Sequence, residues 1–133
     1  MSQPKILVVN AAVEFGSLVT CMIAERFKKE SLWATNLTMA LALADDSDIK
    51  VVGIEGAITH IDEVVDFIEK MVAGGKVVIA FTDHEVHGDL MMSAGCDRVH
   101  EAECPASHWA VALVDTLHNV ERAARKKATQ AAT

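Results

Sequence analysis

Apolar residues recur along this chain with two alternating periods. Lys5 to Asn10 is a short β-branched run, continuous enough for a strand covered on both faces. From Val13 to Lys29 the period becomes helical, with Phe15, Leu18, Met22, Ile23 and Phe27 along one side. Leu32 to Asn36 suits a second short strand, and Thr38 to Ala44 a short helix ending at Asp45-Asp46-Ser47. Ile49 to Ile54 reads as a third strand, with Gly53 near its end and Gly56 beyond. A helix from about His60 to Ala73 carries the stripe Ile61, Val64, Val65, Ile68 and Val72, and Gly74-Gly75 closes it. Lys76 to Phe81 is a fourth buried strand, Glu85 to Ala94 a short helix stopped by Gly95, and Asp97 to His100 a brief fifth strand. The last helix runs from Ser107 to about Lys127 on Ala110, Leu113, Val114, Leu117 and Val120. Residues 128–133 are expected to form a disordered tail after one domain spanning 1–127.

Five strand–helix alternations predict a parallel α/β sheet sandwiched between two layers of helices. At 133 residues, 51% of them hydrophobic, the chain can bury a core without a metal or disulfide staple. That core must be aliphatic, since aromatics make up 5% and tyrosine is absent. A net charge of −7 argues against nucleic-acid binding. The basic cluster Arg122, Arg125, Lys126 and Lys127 is read as a solvated helix end, where cations complement the dipole. Cys21, Cys96 and Cys104 form no CxxC pair, which suits free thiols in a cytoplasmic protein. Nothing in the pattern suggests a membrane span or a signal peptide.

Particular segments narrow the architecture. Lys5-Ile-Leu-Val-Val, Thr38-Met-Ala-Leu-Ala-Leu, Ser47-Asp-Ile-Lys-Val-Val-Gly-Ile, Val77-Val-Ile-Ala-Phe-Thr82 and Ala94-Gly-Cys-Asp-Arg-Val follow one another in an order that resembles response-regulator receiver domains. The resemblance covers about residues 5 to 120. It implies a flavodoxin-like, CheY-like (βα)5 fold with its site beyond the strands' C-terminal ends.

The chemistry departs from that family. Receivers place two acids after strand one to hold a divalent cation, because hard cations take oxygen ligands. The matching residues here are Asn10 and Ala11. The phospho-acceptor position falls on Gly53, the lysine after strand five on Ala102, the proline after it on Glu103, and the aromatic switch on Val99. Thr82 alone keeps the family's residue type. A shift of two residues at strand three would bring Glu55 to the site, where a carboxylate could imitate the phosphorylated state; without that shift Glu55 is read as a solvated loop residue, as carboxylates mostly are. Asp83 and Glu55 are the nearest carboxylates for an unconventional acceptor, but no pair of acids matches the cation site. The resemblance therefore implies a receiver without phosphorylation chemistry or magnesium. Such a module would act by contact with a signalling kinase, an output protein or a second copy. Its partner face, by resemblance, would include Met92, Val99 and Trp109, although Trp109, next to the apolar stripe of the last helix, also suits a place flanking the core.

A rival reading uses His84, His87, His100, Cys104 and His108, which cluster after the fourth and fifth strands. Zinc takes four nitrogen or sulfur ligands in tetrahedral array, and three plus water make a hydrolytic site. Asp83 would add a ligand or orient an imidazole. No GxSxG elbow supports acyl transfer.

Overall fold

The structure, a computed structural model, describes residues 4–46 and 48–132. Its elements alternate as read from the sequence: β1 (Ile6–Val9), α1 (Val13–Phe27), β2 (Ser31–Ala34), α2 (Leu37–Asp46), β3 (Val51–Glu55), α3 (Ile61–Ala73), β4 (Val77–Phe81), α4 (Glu85–Ala94), β5 (Arg98–His100) and α5 (Ala106–Ala132). All neighbouring strands are parallel, in the order β2-β1-β3-β4-β5. This is a flavodoxin-like (βα)5 arrangement.

Successive strand residues point to opposite faces, so the sheet carries two cores. Leu7, Val9, Val52, Ile54, Val78 and Ala80 pack beneath α2, α3 and α4. Ile6, Val8, Val51, Ile79 and Phe81 pack beneath α1 and α5. Among the described residues no helix is long and apolar enough to cross a membrane.

Most boundaries move by one to a few residues from the sequence reading, and two of the differences bear on the site and on the C-terminal end. Helix α5 continues past Lys127 to Ala132. The tail expected from residue 128 is therefore helical as far as it is described, since the alanines of Ala128 to Ala132 favour helix even without packing. Strand β3 ends at Glu55, paired with Phe81, and the Gly56 amide donates to the Phe81 carbonyl at 2.9 Å. Gly53 lies mid-strand, in register with Val8 and Ile79. The missing side chain makes room for Leu113, whose Cδ2 lies 2.8 Å from where a Cβ would stand. The glycine serves helix–sheet packing.

Gly16 serves the same purpose on α1. A Cβ there would stand 2.1 Å from Trp33 Nε1, which instead donates to the Asn10 carbonyl at 3.0 Å.

Candidate functional site

The strands end together on one edge of the sheet, where the βα loops meet. Asn10 follows β1 and is a buried polar residue, 2% exposed. Every polar group of its backbone is engaged: the amide donates to the Ala34 carbonyl and the carbonyl accepts from Trp33. Its Oδ1 accepts from the Ala12 amide at 2.8 Å, fixing the turn into α1. The same side chain favours the charged form of Glu55. Ala11 beside it is exposed.

Glu55 is the half-buried last residue of β3. The strand expected to end at Ile54 ends on this carboxylate, because its ladder with β4 runs on to Phe81. Burial holds the Glu55 carboxyl above its ordinary value of 4.5, and the Asn10 side chain partly offsets this. A carboxyl with a raised folded value favours the fold fully below its unfolded value, and that contribution is lost as pH rises through the folded value. Glu55→Gln is therefore expected to raise Tm at about pH 7, with the gain vanishing by about pH 4. Melting curves at the two pH values check this; an equal gain at both would remove burial of the charge as the cause.

The other two loops are tied to each other by backbone amides. Thr82 Oγ1 accepts from the His84 amide at 3.1 Å. Asp83 Oδ1 accepts from the amides of Ala102 at 2.9 Å and Glu103 at 3.4 Å, so one carboxylate joins the β4–α4 loop to the β5–α5 loop. Sequence reading placed Asp83 near a metal or as an unconventional acceptor, and missed this joining role. Its one signal in the sequence was its place directly after Thr82 at the end of the fourth apolar run. Between the loops lies a cleft of about 360 Å³, walled by Glu55, Thr82, Asp83, His84, His87 and Ala102.

The five candidate zinc ligands do not converge. His84 and His87 stack on each other at 3.9 Å at the start of α4, where His84 Nδ1 caps the helix by accepting from the His87 amide. His100 and His108 form a separate pair, with nitrogens 3.5 Å apart. Burial, with Asp83 and Glu101 nearby, pushes the Cys104 thiol up, away from the thiolate zinc requires. Among the described residues no three His, Cys, Asp or Glu side chains form a metal-holding group. The geometry does not support the zinc reading, since the two loops present their imidazoles separately.

Trp109, expected on a partner face, is 1% exposed. Its ring stacks on Phe81 at 3.7 Å and meets Phe15 edge-on at 5.5 Å. It belongs to the core between α5 and the sheet. Val99 is half-buried and Met92 is 47% exposed, so both reach a surface.

No family model matches the chain, and no curated protein matches it. Solved structures do. The CheY-like response regulator receiver domain protein of Methanospirillum hungatei JF-1 is 16% identical, with a TM-score of 0.75 over 91% of this chain and 98% of that one. The receiver domain of the Francisella response regulator 1452 is 14% identical, with a TM-score of 0.73 over 88% and 98%. NtrX from Brucella abortus in complex with ATP is 16% identical, with a TM-score of 0.76 over 97% of this chain, which spans only 29% of NtrX. Parallel strand order, five covering helices and these likenesses together show that the chain has the CheY-like receiver fold.

Proposed function

We propose that this chain is a cytoplasmic receiver-like signalling module that works through protein–protein contacts without phosphoryl transfer. The observation that carries this reading is the half-buried Glu55 carboxylate at the end of β3. By resemblance, the strand end is where a receiver keeps its phospho-acceptor aspartate. A glutamate there is one methylene longer, so it carries a fixed negative charge further into the cleft toward Thr82.

The surroundings favour a fixed charge over a transferable one. Magnesium demands near-octahedral oxygen ligands and is held through carboxylates. Asn10 offers an amide oxygen already bonded to the Ala12 amide, and Ala11 offers no donor. The residues present do not fit that ion. Nor does the site carry the lysine that would neutralise a phosphoryl group, since Ala102 stands there. Asp83 performs the joining of the two loops by itself. On this reading the surface around α4 and β5, with Met92 and Val99, is held in one state and read by a partner: a kinase, an output protein or a second copy.

Intact mass after incubation with acetyl phosphate and magnesium tests the proposal. The expected result is an unmodified mass, with tryptophan fluorescence unchanged on adding beryllofluoride. A phosphoryl adduct on Glu55, Asp83 or any other carboxylate of this edge would overturn it.

A further inference from the structure

The groove between α4 and β5 has a composition that specifies its occupant. Residues 85, 88, 89 and 92 form one stripe of α4 at helical spacing, and that stripe lines a hollow of about 300 Å³. Gly88, Val99 and the exposed Met92 supply its apolar floor. Asp83, Glu85, Asp89 and Glu101 supply its rim. No lysine or arginine lines it. Arg98 is the only such residue from Val77 to Glu121, and it borders a different hollow, beside Asp97, His100 and His108. Among the described residues the ion pairs join Lys5 and Lys29 to Glu121, and Lys50 to Asp48, so no rim carboxylate is neutralised.

We propose that this groove docks a basic segment of a partner protein, anchored by an apolar side chain over Gly88 and Val99 and held by Lys or Arg against the acidic rim. The inference rests on the receiver-like reading above and adds the chemistry of the partner. An apolar floor supplies affinity through burial, and a single-sign rim supplies steering and selects against acidic partners. The chain's own cations at Arg122, Arg125, Lys126 and Lys127 lie in the second half of α5, which starts at Ala106 after the loop that follows β5 and runs away from this edge. They cannot fold back into the groove of the same molecule.

Gly88 provides a test that spares the fold. A Cβ there would lie 3.5 Å from Val99 Cγ1 and 3.6 Å from Thr82 Cγ2, both ordinary contacts. Gly88→Ala thus fills the floor without a clash, and alanine favours the helix over glycine.

The probe is a fluorescein-labelled amphipathic peptide with Leu and Met on one face and Lys and Arg on the other, titrated by anisotropy against the full chain. A second peptide carries Glu in place of the basic residues. The basic peptide is expected to bind and the acidic one not to. Glu85→Lys, Asp89→Lys and Glu101→Lys together are expected to weaken binding at least about tenfold, and Gly88→Ala about fivefold with an unchanged or higher Tm. Reversing Asp62, Asp66 and Glu69 on α3, an equal change of net charge elsewhere, is expected to leave binding intact. Equal binding of both peptides, equal loss from the α3 reversal, or unchanged binding by Gly88→Ala would each overturn the proposal. So would self-association that disappears on Arg122→Glu and Lys126→Glu, in place of peptide binding. Failed docking with an unmodified acetyl-phosphate mass removes this inference alone, whereas a phosphoryl adduct removes the reading beneath it.

Discussion

The combined replacement of Asn10→Asp, Ala11→Asp, Glu55→Asp and Ala102→Lys is expected to give a chain that acquires a phosphoryl group from acetyl phosphate far faster than the unaltered chain. In the variant, a carboxylate oxygen of the aspartate introduced at position 55 would attack phosphorus, and acetate would leave with the bond's electron pair. Each substitution restores one requirement. The two aspartates after β1 supply the carboxylates that a magnesium ion needs, and that ion neutralises charge on the phosphoryl oxygens. The shorter side chain at position 55 leaves room for the transferred group. The lysine replaces a methyl that borders the cleft, and it would pair with the product's charge.

The fold opposes one of these changes until a cation is bound, since an aspartate at buried position 10 places a second carboxylate beside the one at position 55; the others meet little resistance. Ala11 is exposed, and an aspartate at position 10 can still accept from the Ala12 amide. Asp83 binds position 102 through its backbone, which a lysine leaves in place. Metal and lysine together are expected to stabilise the transition state by several kcal/mol, so labelling should accelerate by at least about 10³-fold. Intact mass over time measures it. An unlabelled variant that is folded and binds magnesium would show that these four side chains are not what separates this site from a working receiver.

Trp109→Ala is expected to cost about 3–5 kcal/mol of stability, the range for emptying a large aromatic site in a packed core. Trp109 is almost wholly enclosed and touches both Phe81 and Phe15. Its removal opens a cavity between α5 and β4 that backbone on either side cannot collapse to fill. Trp109→Phe keeps the stack on Phe81 and is expected to lose much less. Chemical denaturation of the two variants gives both numbers. A cost below about 1 kcal/mol for the alanine variant would return Trp109 to the surface and to the partner face. Such a destabilised variant would also lose partner binding by unfolding, so Met92 and Gly88 are the positions that probe the face itself.

The order of elements was legible from the chain because burial imposes its own period. Ile61, Val64, Val65 and Ile68 can share one face only as a helix, and Lys76 to Phe81 is too short and too uniformly apolar for anything but a covered strand. Of the candidate site, the chain showed only which residues follow the strands: Asn10 comes directly after β1 and Thr82 directly after β4, because those apolar runs have clear limits.

Strand register and side-chain neighbours were decided only by the tertiary structure. A two-residue shift in β3 keeps every side chain on the same face, so hydrophobic pattern alone could not choose between Gly53 and Glu55 at its end. Pairing with Phe81 chose Glu55. Position 109 lies one turn before Leu113, which places a tryptophan on the buried side of α5, yet only Phe81 beneath it and Phe15 beside it close that pocket. The histidines were close in sequence order around two loops. The backbone directions of those loops separated them into two pairs, because Asp83 holds one loop by its amides while His84 caps the helix of the other. Periodicity is a property of neighbours along the chain, whereas register, ligand convergence and pocket closure depend on residues that meet only after folding.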